Sequence, residues 1–324
     1  MTEPLLRRLG QSGLAVSVTG LGCNNLGRPK TASQTLEGSQ ALVDAALESG
    51  ITFFDVADTY GQPSGRSEEV LGATLGSRRD QVVVATKFGM DARGANGPDF
   101  GARGSRRYIR TAVEASLKRL NTDWIDLYQL HQPDPQTPIG ETLAALDELV
   151  AAGKIRYIGH SNFTGWQLAD AAWTARVSSS TPFISAQNEY SLLNRGIERE
   201  LIPAAETFGI GVLPYFPLAN GLLTGKYTRK DAPAGSRLRE QKPQLLDSAP
   251  WDALESLQEF ADVRGVTMLD VAFGWLLAQP SVSSVIAGAT SPAQVRANAR
   301  AADAFAPSRA ELAELDKIFP ASAS

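Results

Sequence analysis

Four residues with useful side-chain chemistry recur at one kind of place. Asp55 and Tyr60 lie in FFDVADTYG, Lys87 in VVVATKFG and His131 in DLYQLHQPD. Each sits at or just after the end of a short apolar run that reads as a strand. A tyrosine, with a reference pKa of about 10, is a poor acid or base at neutral pH. A nearby ammonium stabilises its phenolate and lowers that value. An aspartate beside the lysine keeps the ammonium charged and fixed. A histidine on the other side can orient a carbonyl oxygen by donating a hydrogen bond. The set suits proton delivery to a carbonyl as it becomes an alkoxide. Taken singly, each residue has an ordinary structural explanation, such as a turn-forming aspartate. The signal lies in their matched positions. His160 also stands at a strand end, but without such companions, and reads as structural or peripheral.

Those positions imply the elements that must carry them. Strand-like runs occur at Thr19–Gly22, Thr52–Asp55, Val82–Thr86, Trp124–Leu130, Ile155–Gly159, Ile184–Gln187, Gly211–Tyr215 and Ser283–Ile286. Several are continuously apolar, as strands buried on both faces must be. Between them lie segments of helical period. Leu36–Ser49 stops at Gly50, Ser105–Leu120 carries one apolar stripe, and Ile139–Ala152 stops at Gly153. Thr164 caps a helix running to Ala175, and Ser291-Pro292 is a cap followed by a first-turn proline. Eightfold strand–helix alternation predicts a single (β/α)8 TIM barrel spanning residues 1–324. A doubly wound open sheet is the rival, weakened because no GxGxxG follows an early strand. Leu5–Leu9 and Leu14–Val18 flank Gly10–Gly13 and read as an N-terminal β-hairpin closing the barrel floor. Asn220–Pro250, rich in glycine, proline and charge, reads as a long loop after strand seven, on the face where barrel enzymes place their sites. Barrel closure brings strands two, three and four side by side, so the four residues converge on one mouth.

Composition narrows the rest. The chain has 324 residues, 31 lysines and arginines, 35 aspartates and glutamates, and a net charge of −4. That balance argues against a nucleic-acid or anionic-membrane surface. Hydrophobic residues make up 43%, enough for a large core. The one cysteine, Cys23, excludes an intrachain disulfide, and with His131 and His160 it is too few for a structural cysteine/histidine zinc site. No metal is expected, although composition alone leaves room for a carboxylate-rich site. No signal-like or membrane-spanning run is present, so a cytoplasmic location is the expectation.

From GLGCNNLG at Gly20 to GATSPAQVRAN ending at Asn298, the sequence resembles the aldo-keto reductase family, in the branch that includes the potassium-channel beta subunits. GQPSGRSEEVLG after Tyr60 matches through Gly61, Ser67, Glu68, Leu71 and Gly72. The resemblance implies that Asp55, Tyr60, Lys87 and His131 form a catalytic tetrad, with Tyr60 the general acid. It also implies an NADPH/NADP+ site. Ser161, Asn162 and Gln187 would hold the nicotinamide carboxamide, Tyr215 would stack on its ring, and Cys23, Asn24 and Asp55 would border it. PYFPLANGLLTGKY matches a pyrophosphate-binding loop through Pro217, Leu218, Ala219, Gly221, Leu222 and Lys226, with Phe216 in place of a usual serine. Arg237, in GSR, matches a cofactor-clamping arginine. Gly288, Thr290, Ser291, Gln294 and Asn298 match the grip on the adenosine 2′-phosphate and adenine. There Ala297 replaces a common glutamate, and Ala289–Ser291 contains no basic residue.

The expected activity is reduction of an aldehyde or ketone by hydride transfer, on a small-molecule carbonyl substrate. The alternative is a cofactor-sensing regulatory subunit with little turnover. Asn24, Leu26, Phe88, Phe163 and Phe216 are candidate pocket walls. The sequence names neither the substrate nor the oligomeric state.

Overall fold

The chain is described by a computed structural model covering residues 3–321, apart from the side chain of Arg237. A hairpin comes first, β1 (Leu6–Arg8) and β2 (Ala15–Ser17). Eight strands follow: β3 (Thr19–Gly22), β4 (Phe53–Asp55), β5 (Val83–Phe88), β6 (Ile125–Leu130), β7 (Ile155–Ser161), β8 (Phe183–Glu189), β9 (Gly211–Tyr215) and β10 (Val285–Gly288). They form one parallel sheet in the order β10-β3-β4-β5-β6-β7-β8-β9. The sheet curls until its edges meet. The Ser283 N–H donates to the Val212 carbonyl at 3.0 Å, and the Val212 N–H donates to Ser281 at 2.8 Å. The fold is a (β/α)8 TIM barrel, with helices between the strands.

The helices are α1 (Leu36–Glu48), α2 (Arg66–Leu75), α3 (Arg106–Leu120), α4 (Ile139–Ala151), α5 (Gly165–Ser178), α6 (Leu201–Phe208), α7 (Arg237–Gln241), α8 (Gln244–Asp247), α9 (Trp251–Val263), α10 (Met268–Leu277), α11 (Pro292–Ala304) and α12 (Arg309–Ile318). Boundary chemistry sets their starts. The Ser105 hydroxyl accepts from the Tyr108 N–H, Thr164 forms a reciprocal capping box with Gln167, and Ser291 accepts from the Gln294 N–H.

The floor is apolar and shut. Leu9 and Val16 of the hairpin pack inside the barrel with Phe53, Ala85, Leu127, Leu213 and Ile286. Arg7 ties the hairpin to the wall by donating to the carbonyls of Val282 at 3.0 Å and Leu277 at 2.8 Å. Gly10, at φ +59°, turns so close to the α6–β9 corner that a Cβ would lie 2.4 Å from the Gly209 oxygen. A closed floor leaves the C-terminal mouth as the open end.

Asn220–Pro250 differs from the plain loop expected of it. A 3-10 turn occupies Ala219–Thr224, and α7 and α8 lie inside the segment. Leu238 of α7 is fully buried, and its N–H donates to the Tyr227 hydroxyl at 3.3 Å. One apolar anchor is enough to fold a short helix where prolines and charges obscure helical period. Among the described residues no helix is long and apolar enough to cross a membrane.

Candidate active site

β4, β5 and β6 are neighbours in parallel register, Asp55 opposite Ala85 and Lys87 opposite Gln129. Parallel register aligns their C-terminal ends, which brings the four expected residues together. Lys87 lies within β5 rather than beyond it. Its ammonium donates to Asp55 Oδ2 at 2.6 Å, to the Val56 carbonyl at 3.1 Å and to the Tyr60 hydroxyl at 3.4 Å. The Tyr60 ring meets His131 edge-on, with centroids 5.9 Å apart. Lys87 is wholly inaccessible to solvent, and Asp55 nearly so.

Burial decides the proton affinities. It pushes the Tyr60 phenol above its ordinary value, and the Lys87 ammonium only partly offsets this. The expectation of a net lowering is therefore corrected: desolvation outweighs the lysine. Lys87 has the opposite balance, with the attraction of Asp55 and Tyr60 overcoming burial and raising its pKa. Burial, with the repulsion of Lys87 added, drops His131 well below the ordinary imidazole value. At neutral pH the group is a neutral phenol, an ammonium and a neutral imidazole. His160 is fully buried between Phe163 and Phe183, and burial lowers it to about 3. It belongs to the packing behind β7.

The residues expected to hold a cofactor form an arc that continues around the rim from β7 to β10 and β3. The Ser161 hydroxyl donates to the Gln187 carbonyl at 2.7 Å, Asn162 Nδ2 to the His131 carbonyl at 2.9 Å, and the Tyr215 hydroxyl to Asn162 Oδ1 at 2.8 Å. Asn162 has φ +61°, a conformation asparagine tolerates better than most residues. Beyond β9 the backbone is left-handed at Phe216, Ala219, Asn220 and Gly221. Three of those are not glycine, a concentration of strain that clusters at functional sites. Pro217, Gly221 and Leu222 are buried, Leu218 is half-buried and Lys226 is exposed. A Cβ on Gly221 would lie 2.9 Å from Lys226 Cε, so glycine lets that lysine fold back across the turn. At the end of β10, Gly288 faces Asn24, whose Oδ1 lies 3.5 Å from an ideal Cβ there. Gln294 Oε1 accepts from the N–H and hydroxyl of Thr290, at 2.8 and 3.1 Å. Thr290, Ser291 and Gln294 are thus tied to one another at the α11 start, and Asn298 is buried beneath.

Some expected residues face elsewhere. The Cys23 thiol donates to the Leu21 carbonyl at 3.4 Å and is buried with the core, yet near enough to Asp55 and Lys87 for both to act on its proton affinity. Leu26, Phe88 and Phe163 are core as well, not pocket walls. Strand alternation explains Phe88: with Lys87 pointing into the barrel, the next side chain points outward and stacks on Tyr128, centroids 4.6 Å apart. Asn24 and Phe216 are half-buried at the rim. The Arg237 side chain lies outside the described part.

A buried polar network supports the site from behind. Asn96 Nδ2 donates to Asp58 Oδ2 at 2.6 Å. Arg119 donates to Asn96 Oδ1 at 2.8 Å and to Glu68 Oε2 at 2.7 Å, and the Thr86 hydroxyl donates to Glu68 Oε1 at 2.6 Å. The Asp58 N–H bonds the Lys87 carbonyl at 3.1 Å. Burial first, and then the charge of Glu68, raises Asp58 to about 8. These partners come from two helices, two loops and strand β5, and no spacing in the sequence joins them. Glu68 stands out only as part of a matching stretch.

Comparison with known proteins identifies the family. Residues 19–319 match the aldo/keto reductase family. The chain is 34% identical to "L-glyceraldehyde 3-phosphate reductase" of Escherichia coli (strain K12), over 96% of this chain and 91% of that one. It is 36% identical to "Probable voltage-gated potassium channel subunit beta" of Oryza sativa subsp. japonica, over 92% and 90%. It is also 36% identical to "Versiconal hemiacetal acetate reductase" of Aspergillus parasiticus, over 86% and 87%. The chain belongs to the aldo/keto reductase family and is an oxidoreductase.

Proposed function

From that membership we propose that the protein reduces aldehydes or ketones to alcohols with NADPH, Tyr60 delivering the proton. The observation that carries the reading is the Lys87 ammonium lying between Asp55 Oδ2, at 2.6 Å, and the Tyr60 hydroxyl, at 3.4 Å. The phenol is protonated at working pH, and the ammonium beside it lowers the cost of the phenolate formed when the proton leaves. Asp55 holds the ammonium in place. His131 is neutral, and its Nδ1 is buried without a partner. A ring protonated on Nε2 then puts a lone pair rather than a stranded N–H at that buried position. It leaves Nε2–H to orient the carbonyl oxygen.

The donor set fits a nicotinamide cofactor. The Gln187 amide donates to Asp55 and the Asn162 amide to the His131 carbonyl, and the oxygen of Asn220 is buried without a partner in the strained turn after β9. Ser161, Asn162, Gln187 and Tyr215 would hold the nicotinamide end. Pro217 to Lys226 and Arg237 would hold the diphosphate, and Gly288 to Asn298 the adenosine end. When bound, the cofactor supplies the hydride. The protein supplies position, a dry mouth and the proton.

Steady-state oxidation of NADPH over a carbonyl panel tests this. Short phosphorylated aldehydes belong in the panel because one relative is named as a reductase of glyceraldehyde 3-phosphate. Saturable turnover is expected, with NADPH binding tighter than NADH. Equal dissociation constants for the two would refute the cofactor preference. The relative named as a probable channel subunit motivates a second reading, a cofactor-sensing subunit. Tight NADPH binding with turnover at background across the panel would favour it.

A further inference from the structure

The two oxygens of Asp55 are held differently. Oδ2 takes the lysine. Oδ1 accepts from two amides, Gln187 Nε2 at 2.9 Å and Gln129 Nε2 at 3.2 Å. Gln129 is fully buried inside the barrel. It is in register with Lys87 on one side and Gly159 on the other. Gly159 aligns with Ser185, and Ser161 with Gln187, and the tilt of the strands brings Gln129 and Gln187 to the level of Asp55, where both amides reach the same oxygen. The missing side chain at position 159 makes its room: a Cβ there would lie 3.3 Å from Gln129 Cγ and 2.1 Å from Ser185 Oγ. The Gln129 oxygen is buried with no partner. A side chain kept only for volume would be leucine or methionine, because a stranded buried oxygen is costly. The polar atom that earns this position is the amide nitrogen on Asp55.

We propose that Gln129 is a positioning residue that keeps Asp55 Oδ1 hydrogen-bonded when Gln187 turns from Asp55 to the cofactor carboxamide. This rests on the cofactor reading above. Gln187 has two demands on one amide. Gln129 has one. Cofactor affinity is therefore coupled, through Asp55, to a second glutamine that the cofactor reading gives no contact of its own. Without Gln129, release of Gln187 would leave Oδ1 bare in a dry barrel, so Asp55 would compete for that amide.

The test is a fluorescence titration of NADPH against wild type, Gln129→Met, Gln187→Met and the double variant. Gln129→Met should weaken NADPH by about tenfold, the scale of one charge-assisted hydrogen bond. In the Gln187→Met background the same substitution should change Kd by less than about twofold, because no competition remains. Gln129→Glu preserves volume and gives a second readout. Its introduced carboxyl can donate only when protonated, so NADPH affinity should approach wild type as pH falls and worsen as pH rises. If Gln129→Met does not fold, that pH dependence decides the matter alone. An unchanged Kd in Gln129→Met, an equal loss in both backgrounds, or a pH-independent Kd in Gln129→Glu would overturn the proposal. Wild type that binds no NADPH would overturn the cofactor reading itself. Wild type that binds while Gln129→Met is unaffected would overturn only the coupling.

Discussion

The ends of β4 to β6 and the segment after β9 sit on the same rim but are built in opposite ways. At β4 to β6 the working groups stand on strands or within a few residues of them. Lys87 and Asp55 are sealed from water, and Glu68, Arg119, Asn96 and Asp58 brace the backbone from behind. After β9, the chain runs through left-handed turns at Phe216, Ala219 and Asn220 into two helices of 5 and 4 residues. Leu222, Leu223, Tyr227 and Leu238 anchor that segment, while most of 228–236 and 239–250 is exposed. The first region is preorganised and costly to perturb. The second can rearrange at small cost. That division suits a site in which chemistry needs fixed geometry and the cofactor must enter and leave.

The largest effect should come from breaking the rigid region. Lys87→Met leaves Asp55 as a buried carboxylate without its cation, a loss of about 3–5 kcal/mol. Carbonyl reduction should fall by about 10²–10⁴ because the phenolate loses its support. A denaturant melt and a turnover assay read the two losses separately. A variant of wild-type stability would show that the ion pair does not hold the site together.

The segment after β9 should respond more mildly, and through binding alone. Arg237→Ala should weaken NADPH by about tenfold, mainly in the off-rate. Amides of 221–237 should exchange more slowly with NADPH present. Unchanged exchange at saturating cofactor, with normal binding by Arg237→Ala, would make this segment an ordinary surface connection.

The smallest effect sharpens the contrast through pH. Asp58 has its folded pKa raised to about 8, above its unfolded value. The stability it contributes is full below the unfolded carboxylate value and is lost as pH rises through about 8. Asp58→Asn copies the protonated shape, so its melting temperature should decline less between pH 5 and 9 than that of wild type. Parallel declines would show that Asp58 is already ionised in the folded protein.

The same division governs what could be read from sequence. All eight barrel strands are visible as apolar runs. β7 and β8 run on to Ser161 and Glu189 because the backbone ladder continues after the side chains turn polar. The convergence of Asp55, Tyr60, Lys87 and His131 follows from strand order alone. Gln129 is hidden because it looks like a polar interruption in DLYQL, and its meaning depends on the layer it occupies. Asp58, Asn96 and Arg119 are hidden because their partners lie on different elements. Phe88 misleads because it neighbours a site residue in sequence while strand alternation turns it away. α7 and α8 escape notice because they are short and lie among prolines and charges.

The central claim is that Tyr60 delivers the proton from within the rigid group. Single-turnover reduction of a carbonyl by NADPH-loaded Tyr60→Phe, beside wild type, tests it most directly, because product release is removed from the rate. The substitution deletes one hydroxyl, so melting temperature and NADPH affinity should stay near wild type while the rate falls by about 10²–10⁴. A single-turnover rate close to wild type would contradict the assignment.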